Sequence, residues 1–378
     1  MSDINYEKLD PHVFVTKLAG FEHSEYIQPH ATHEKVNSSD IPMVQGKNIR
    51  NGIFVKEYDW YINENISNSL PRSVLNKPCI LIPYVGSNLG EVGIFYNHER
   101  CHLASNIAKV ELIDNKYDLE YLKYYLQSPL GQKYLFKEIQ GSSQPNITMQ
   151  SIRDTLIIQK DLEEQCNIAK TLLSIDKKIE NNRKINENLQ QMASAIYFHM
   201  FFKKKPNAKL GDIIVENKKS SIQVGDTKIS TGNYPFFTSG SAILKWNEKL
   251  VSGRNCFLNT GGNSDIKFYV GDAAYSTDTW CITAKNNLSD YLYLLLKSIK
   301  NELNIKFFQG TGLKHLQKPL LKLRDIYLPN ESELTIFNNY VRPILSMVSH
   351  NTCQSETLSA LRDWLLPMLM NGQATISD

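Results

Sequence analysis

The sequence predicts an α+β protein in which two mixed or mostly β globular domains alternate with two long helices that pair as an antiparallel coiled coil. Three observations support this architecture: a length of 378 residues, an internal duplication with a period near 170 residues, and two long segments with heptad spacing. At roughly 100–200 residues per domain, the length indicates two or three domains. We therefore divide the chain into domain 1 (1–160), a central long helix (161–204), domain 2 (205–330) and a C-terminal long helix (331–378).

Composition excludes several classes of protein. Hydrophobic residues make up 42% of the chain and charged residues 21%, as in globular rather than disordered or fibrous proteins. The longest apolar runs fall far short of the roughly 18–20 residues that cross a bilayer, so we expect no membrane association. The polar N-terminus has no apolar signal-peptide core, and this favours a cytoplasmic protein. None of the six cysteines has a CxxC spacing, so neither a zinc site nor a disulfide framework is expected.

Charge is distributed unevenly along the chain. Domain 2 carries 17 lysines and arginines against 10 aspartates and glutamates, a net charge of +7, whereas domain 1 has a net charge of −2 and the C-terminal helix −3. A basic domain favours a polyanionic partner such as nucleic acid. Solvated surface lysines would give the same count, so charge alone leaves both interpretations open.

The duplication is the most informative feature of the sequence. Gln140-Gly141 is followed by Arg153-Asp154, and Gln309-Gly310 by Arg324-Asp325, with offsets of 169 and 171 residues. Each copy then enters a long periodic segment, 162–200 in the first case and 333–370 in the second. The chain therefore has the order domain, helix, domain, helix.

Both periodic segments show the alternating spacing of four and three that is typical of a coiled-coil seam. Adding 169 to the number of each seam position in the first segment gives a seam position in the second, and Asn182 maps onto Asn351. Because polar residues at core positions fix the register of paired helices, we expect these two helices to pair with each other. Two amphipathic helices that pack separately on their own domains are the alternative. The predicted pairing residues are Ile168, Leu172, Ile175, Ile179, Asn182, Leu189, Ile196, Phe337, Val341, Ile344, Val348, Asn351, Leu358 and Leu365.

Two features qualify the helix and domain assignments. Pro343 and Pro367 lie inside the second periodic segment, and an interior proline removes a backbone hydrogen bond, so we expect that helix to bend or start late. In the domains, short β-rich runs are separated by Gly, Asn and Ser turns, with one helix each near 119–134 and 289–302. No alternation of strand and helix typical of a parallel sheet is present.

Motifs for catalysis are weak or missing. The segment 308–312 matches a short FxGxG pattern associated with S-adenosylmethionine binding, but no clear parallel strand precedes it. The sequence has no GxxxxGK[ST] phosphate loop and no clustered carboxylates with a lysine that would hold Mg²⁺ for a nuclease. No histidines have metal-ligand spacing, and Gly261-Gly262 is interpreted as a tight turn between strands. We expect no catalytic residue and no metal site in this chain.

Several stretches together resemble the specificity subunit of a type I restriction-modification system, over nearly the whole length of the chain. In the first half they are IPMVQGKNI (41–49), VGSNLGEVG (85–93) and QGSSQPNI (140–147). In the second half they are GNYPFFTSG (232–240), LNTGG (258–262), AYSTDTW (274–280) and LRDWLLPMLMNG (361–372). The order of these motifs and their duplication make the combination specific.

The resemblance implies a non-catalytic DNA reader. In this family two target-recognition domains each read one half of a bipartite site in double-stranded DNA, and the paired helices hold them apart as a ruler. Modification (methyltransferase) subunits, expected to be two, dock on the helices, and restriction subunits complete the complex. S-adenosylmethionine, ATP and Mg²⁺ are then expected on those partners and not on this chain. The alternative is a coiled-coil adaptor with two protein-binding heads.

Residues for DNA binding are chosen from cations that can contact phosphates and from polar side chains that can reach base edges. In domain 1 the candidates are Lys35, Lys47, Asn48, Arg50, Lys56, Ser87, Asn88, Ser143 and Gln144. In domain 2 they are Lys218, Lys219, Ser239, Lys245, Arg254, Asn255, Asn263, Lys267, Lys314 and His315. For each of them a solvated turn or a structural cap is the competing role.

Overall fold

The computed structural model describes residues 5–96, 99–137, 145–230 and 232–376. The chain forms two compact units. The first consists of the residues up to Asp176 together with those from Ser359 onward, and the second runs from Lys177 to Leu358. Among the described residues, no helix combines the length and apolar character needed to cross a membrane.

The first unit is built mainly from short strands. Its strands are β1 (Tyr6–Lys8), β2 (Val13–Lys17), β3 (Ile41–Val44), β4 (Ile49–Arg50), β5 (Ile53–Phe54), β6 (Tyr61–Ile62), β7 (Val74–Leu75), β8 (Cys79–Pro83), β9 (Gly93–Phe95), β10 (Cys101–Leu103), β11 (Ile107–Leu112) and β12 (Leu156–Ile158). Its helices are α1 (Gly20–Glu22), α2 (Glu64–Ser69), α3 (Leu119–Gln127), α4 (Pro129–Leu135) and α5 (Met149–Arg153). The long helix α6 (Leu162–Phe201) begins in this unit and ends in the second.

The second unit repeats the core elements of the first in the same order. Its strands are β13 (Ala208–Lys209), β14 (Ile214–Glu216), β15 (Tyr234–Phe237), β16 (Ile243–Trp246), β17 (Arg254–Asn259), β18 (Ile266–Val270), β19 (Ala274–Tyr275), β20 (Thr279–Ala284), β21 (Phe308–Gln309), β22 (His315–Leu316) and β23 (Asp325–Ile326). Its helices are α7 (Leu210–Ile213), α8 (Ser289–Ser298), α9 (Lys300–Glu302) and α10 (Lys318–Lys322), and α11 (Glu331–Met370) leads back into the first unit.

The two units have the same sheet topology. The main sheet has the strand order β2-β11-β8-β9 in the first unit and β14-β20-β17-β18 in the second, antiparallel throughout. A smaller sheet contains one parallel pair in each unit, β3 with β10 and β15 with β19. The equal strand order therefore confirms the duplication, while the parallel pairs are a feature that the sequence patterns did not predict.

Each unit buries two apolar clusters, one on either face of its main sheet. In the first unit, α3 packs on one face through Tyr121, Leu122 and Tyr125, and the smaller sheet covers the other face. In the second unit, α8 takes the place of α3. These strands are buried on both faces, which explains why they contain near-continuous apolar runs rather than a strict alternation.

The long helices pair antiparallel, as the heptad spacing predicts. In the second unit, Asn182 donates to Gln354 at 2.8 Å, and Asn351 donates to Asn186 at 3.0 Å. In the first unit, Arg362 donates to Asp176 at 3.0 Å. Within the second unit the partner number on α11 falls as the number on α6 rises, which is the mark of an antiparallel pair. Asn182 and Asn351 lie in the same buried polar network but form no side-chain hydrogen bond with each other. In an antiparallel pair, a residue of α6 faces a position of α11 that differs from its equivalent in the sequence repeat.

The predicted seam also packs on the domains. Ile168 and Leu172 of α6 share an apolar cluster with Leu369 of α11 and with the main sheet of the first unit. Phe337 and Val341 of α11 are fully buried in the main cluster of the second unit. Of the other predicted pairing residues, Ile175 and Val348 are buried, and those that remain are half-buried: Ile179, Leu189, Ile196, Ile344, Leu358 and Leu365. The heptad pattern therefore combines a helix pair with two domain contacts.

Prolines have different effects in α11 and in the predicted helix 119–134. Helix α11 begins at Glu331 and contains both Pro343 and Pro367, so it does not start late, and the expected bend stays a prediction. In contrast, the predicted helix 119–134 is divided at Pro129, which has no backbone N–H to continue α3. The Ser128 side chain caps the new helix by accepting from the Gly131 N–H at 3.1 Å.

Candidate nucleic-acid interface

The site begins at two adjoining turns of the second unit. One is the hairpin turn 260–265 between β17 and β18, and the other is the turn 310–314 between β21 and β22. The Gly262 N–H donates to the Lys314 carbonyl at 2.9 Å, and the Leu316 N–H donates to the Thr260 carbonyl at 3.0 Å. A bridge joins Gly261 to His315. The two turns therefore form one surface whose backbone is tied together.

Asn259 stabilises the hairpin turn through side-chain hydrogen bonds to its backbone. Its buried side-chain amide donates to the carbonyls of Gly261 and Asn263, at 2.7 and 2.5 Å. Its amide oxygen accepts from the Asp265 N–H at 2.7 Å. Gly262 has a φ of +81°, which a glycine adopts without strain. The prediction of a tight turn at Gly261-Gly262 is confirmed.

One backbone contact of the second-unit site recurs in the first unit. The Ile147 N–H donates to the Tyr84 carbonyl at 2.9 Å, just as Leu316 does to Thr260. Asn88, in the loop between β8 and β9, donates to the Ile49 carbonyl at 2.7 Å, and Ser87 donates to the Asn88 side chain at 2.9 Å. Ser87 is exposed and available to a partner, whereas the Asn88 amide fixes the loop. The predicted contacts Ser143 and Gln144 lie outside the described residues.

Lysines surround the turns of the second unit. Lys218, Lys219, Lys314 and His315 are exposed, in agreement with a role at the surface. The segment that carries Lys218 adjoins the site, because Tyr275 donates to the Lys218 carbonyl and the neighbouring Asp278 carbonyl accepts from the Thr260 N–H at 3.0 Å. These residues lie on different elements, and the fold brings them to one side of the second unit.

Lys218, Lys219, Lys314 and His315 form the basic surface of the second unit. Lys318 and Lys322 extend this surface, and the sequence motifs did not indicate them. Lys318 lies over the Trp280 ring, with its Nζ atom 5.0 Å from the ring centre. Burial lowers the pKa of Lys318, and the positive charges of Lys219 and Lys322 lower it further. Like charges that affect each other's protonation are close in space. The only hint in the sequence is that both lysines follow directly after the Lys314-His315 segment.

A carboxylate lies within the basic surface. Glu216 pairs with Lys322 and accepts from the Trp280 indole N–H at 2.7 Å. The hydrogen bond from Lys322 lowers the pKa of Glu216, so this side chain is charged at neutral pH. It partly offsets Lys322 and Lys318 and leaves Lys218, Lys219 and Lys314 as the main positive charges.

Arg254 and Asn255 have internal roles instead of the predicted DNA contacts. Arg254 binds the buried Asp290 through two hydrogen bonds of 2.7 and 2.6 Å, and it also donates to Ser346 and to the Arg342 carbonyl of α11. Asn255 is 3% exposed; it donates to the Ser252 carbonyl and accepts from Asn217. The polar atoms of both side chains are already satisfied inside the second unit.

The other predicted DNA contacts of the second unit include both residues with internal roles and residues that are exposed. Lys267 donates to the carbonyls of Thr238 and Gly240, so its charge stabilises the loop that carries the half-buried Ser239. Lys245 is exposed on β16, where its charge acts on Glu356 of α11. Asn263 is exposed in the hairpin turn and its side chain faces solvent. Of these residues, Asn263 belongs to the two-turn surface.

The predicted cluster of the first unit is largely neutralised. Lys47 pairs with Asp59, and Arg50 donates to Glu57 at 2.8 Å. Asn48 is fully buried: it donates to two carbonyls, those of Val55 and Glu57, and accepts from the Gln45 N–H. Asn48 is therefore a structural residue and has no free group for a base. Lys35 and Lys56 are exposed, and they remain the candidates for phosphate contact in this unit.

The long helices carry a second heptad stripe that the sequence patterns did not indicate. Uncharged, exposed residues recur at alternating steps of three and four, which is the spacing of a helix that packs on further helices. The α6 stripe consists of Ile185, Asn188, Met192, Ala195, His199 and Phe202. The α11 stripe consists of Ile336, Tyr340, Pro343, Met347 and His350, and Leu361 and Trp364 continue its spacing.

The aromatic residues at the end of α6 divide between the core and this stripe. Tyr197 and Phe201 are buried in the second unit, where the Phe201 ring lies 5.2 Å from that of Phe337. Phe198 and Phe202 are 42% and 62% exposed, and their rings lie 4.7 Å apart. The exposed pair leaves apolar surface that a partner is able to cover.

Within the described ranges, no three His, Cys, Asp or Glu side chains are grouped as metal ligands. The FxGxG segment 308–312 spans β21 and the turn that follows it, and β21 pairs antiparallel with β22. It therefore does not form the turn from a strand into a helix at which cofactor phosphates and carboxylates bind. The residues present do not fit an S-adenosylmethionine site at this position.

Comparison with known proteins shows which family the chain resembles. A model of the type I restriction modification DNA specificity domain matches residues 27–191 and 203–341. The type I restriction enzyme MjaIX specificity subunit of Methanocaldococcus jannaschii is 22% identical over 307 residues, which cover 68% of this chain and 70% of that protein. The EcoDI specificity subunit of Escherichia coli is 26% identical over 152 residues, which cover 38% of this chain and 33% of that protein.

A solved structure gives the same fold. The S subunit of a type I restriction-modification system from M. genitalium aligns with a TM-score of 0.64 at 15% identity, over 100% of this chain and 98% of that one. The family model matches once in each half of the chain, as expected from the two units of equal topology. The chain belongs to the family of type I restriction-modification DNA specificity subunits.

Proposed function

We propose that this chain reads a bipartite site in double-stranded DNA, one half-site with each target-recognition domain, and directs partner subunits to that site. The observation that carries the proposal is the hydrogen-bonded pair of turns beside the main sheet of the second unit, which two backbone hydrogen bonds and one bridge join together. A fixed backbone with variable side chains is suited to reading different sequences from one scaffold. In the second unit this surface is also rich in lysine.

Contacts to phosphates and contacts to base edges have different functions. Lys218, Lys219 and Lys314 neutralise phosphates, which provides affinity that depends on salt but not on sequence. Asn263 and His315, at the turns themselves, are the candidates for base edges in the second half-site. In the first unit, Ser87 is the base candidate, and Lys35 and Lys56 are the phosphate candidates.

The partner subunits dock on the α6 and α11 stripes. Uncharged residues at heptad spacing are a surface for helices of another protein, and we assign it to the modification subunits. The duplication of the chain supports one docking surface for each half and therefore two modification subunits per chain. Restriction subunits join through the assembled complex.

The chain itself supplies no catalytic group in this proposal. S-adenosylmethionine is bound by the modification subunits, and ATP and Mg²⁺ are bound by the restriction subunits. Support comes from the 308–312 segment, which lies on an antiparallel strand and the turn after it and not at a turn from a strand into a helix. The purified chain is expected to methylate and cleave no DNA when S-adenosylmethionine, ATP and Mg²⁺ are supplied, and activity of the chain alone would contradict this assignment.

The salt dependence of DNA binding tests the role of the basic surface. The full chain, assembled with its modification subunits, is titrated with a cognate duplex at several salt concentrations. In the variant K218Q/K219Q/K314Q, the slope of log K against log salt is expected to fall by about 0.9 for each phosphate that is no longer neutralised, up to about 2.7. The matched control is K209Q/K249Q/K285Q, which removes three lysines that bind other groups of the same unit. Equal slopes for both variants would contradict the assignment.

Two further outcomes separate this proposal from the adaptor alternative. Removal of helical turns in matching parts of α6 and α11 should change the number of unread bases between the half-sites and leave both half-sites unchanged. Altered half-sites would contradict the role of the helices as a ruler. A coiled-coil adaptor with protein-binding heads predicts no salt-dependent DNA affinity at all, even when all partner subunits are present.

A further inference from the structure

An exposed leucine lies in the turn 310–314 of the second unit, next to Lys314 and beside the hairpin turn 260–265. Leu313 is 66% exposed, and its chain neighbours Gly312 and Lys314 are exposed as well. Single exposed leucines are common on proteins, so exposure alone means little. The position of Leu313, on one of the two joined turns, against the other turn and next to Lys314, is what gives it a specific use.

The backbone around Leu313 is fixed before any ligand binds. The Lys314 carbonyl accepts from Gly262, and His315 is bridged to Gly261. Gly310 has a φ of +149°, and a Cβ atom at this position would lie 2.8 Å from the Leu313 carbonyl oxygen, so the turn requires glycine. A side chain on such a turn is presented with little loss of entropy on binding.

Glycines leave the space beside Leu313 free. A Cβ atom placed on Gly261 would lie 3.6 Å from Leu313 Cδ2, so the leucine side chain lies against the hairpin turn. Cβ atoms placed on Gly262 or Gly312 would meet no atom within 4 Å. A large ligand is therefore able to approach the backbone of both turns closely, with the leucine side chain between them.

The chemistry of this arrangement identifies the ligand group. Lys314 and the lysines of the adjoining Lys218 segment draw a polyanion to the surface, but an apolar side chain gains nothing from phosphates. The apolar group that a DNA duplex presents in its major groove is the 5-methyl group of thymine. Resting on the proposed function, we infer that Leu313 packs on a thymine methyl group in the half-site read by the second domain, and so selects thymine at that position.

The duplication fits a role in specificity. When Gln309-Gly310 is aligned with Gln140-Gly141, the position of Leu313 corresponds in sequence to Gln144, a polar residue. The two domains therefore carry residues of different chemistry at this aligned position of the sequence. Two readers of different half-sites are expected to differ in this way.

Substitution of deoxyuridine for thymine tests the inference, because it removes only the 5-methyl group. Each thymine of the half-site is replaced in turn, and binding is measured for the full chain assembled with its modification subunits. With wild-type protein, one replacement is expected to weaken binding about fourfold, the effect of burying one methyl group. With Leu313→Ala, that replacement is expected to have no effect.

The matched control is Leu323→Ala, which removes an equally exposed leucine (65%) from the same unit. It should keep the fourfold response to deoxyuridine. The inference is overturned if the Leu313→Ala complex retains the response, or if no thymine of the half-site gives one. A complex that binds no duplex specifically would instead overturn the proposed function, on which the inference rests.

Discussion

Arg254 offers the sharpest test of how charge is used in this chain. Its side chain is 15% exposed and forms a two-pronged ion pair with Asp290, whose side chain is 1% exposed. Arg254→Met leaves the Asp290 carboxylate buried and unpaired, which costs about 3–5 kcal/mol of folding free energy. For a domain of this size, about 1 kcal/mol lowers the melting temperature by roughly 2–4 °C. We therefore expect a drop of about 6–20 °C in the unfolding transition of the second unit.

The assay is differential scanning calorimetry of the full chain, with hydrogen exchange followed by mass spectrometry to assign the transition to β17 and α8. Arg254→Met/Asp290→Leu removes both charges and should recover most of the lost stability. The matched control, Lys249→Met, breaks an ion pair whose members are 51% and 41% exposed and should cost about 1 kcal/mol or less. A folded Arg254→Met protein with unchanged melting temperature and a DNA salt slope lower by about 1 would refute the structural role and restore Arg254 as a phosphate contact.

Three further predictions concern the helices and the first unit. Asn182→Ala should destabilise the second unit by about 1–3 kcal/mol in urea unfolding, because Asn182 is 1% exposed and its loss leaves Gln354 without that partner; a change below the error of the measurement would contradict it. Hydrogen bonds from His12 to Asp114 and Glu7 raise the pKa of His12 in the folded state. The stabilisation by His12 is therefore full below the pKa of an unfolded histidine, about 6.5, and is lost as pH rises through the higher folded pKa. His12→Gln should therefore flatten the decline in stability of the first unit as pH rises from 6 to 8, and an unchanged decline would exclude this pair as its cause. Met192→Lys in the α6 stripe should reduce co-purification of the modification subunit, whereas Gln191→Lys, at an exposed neighbour outside the stripe, should not; equal recovery would contradict the docking surface.

Much of the architecture follows from local sequence patterns. The heptad spacing predicted both long helices and their pairing, because the same apolar positions recur over many turns. The repeated Gln-Gly and Arg-Asp pairs predicted the duplication. The parallel pairs β3–β10 and β15–β19 were not predictable in this way, since they join strands that are distant in sequence and too short to show a clear period.

The site was harder to predict than the fold, and the reason is long-range burial. Arg254 and Asn48 have the residue types of DNA contacts, but Arg254 meets Asp290 and α11, and Asn48 meets the loop at 55–57. Only the folded chain reveals those partners. Lys318 was missed for the opposite reason: nothing in its own sequence marks it, and its proximity to Lys219 depends on how the chain returns to the sheet.

The central claim is that this chain chooses the DNA sequence that its partners modify. The most direct measurement is a genome-wide map of methylated adenines in cells that carry the complete system, compared with cells that lack only this chain. We predict one bipartite motif that disappears on deletion and reappears, with only its second half-site altered, when residues 205–330 are replaced by the corresponding domain of another family member. A motif that persists without the chain, or that is unaffected by the domain exchange, would contradict the account.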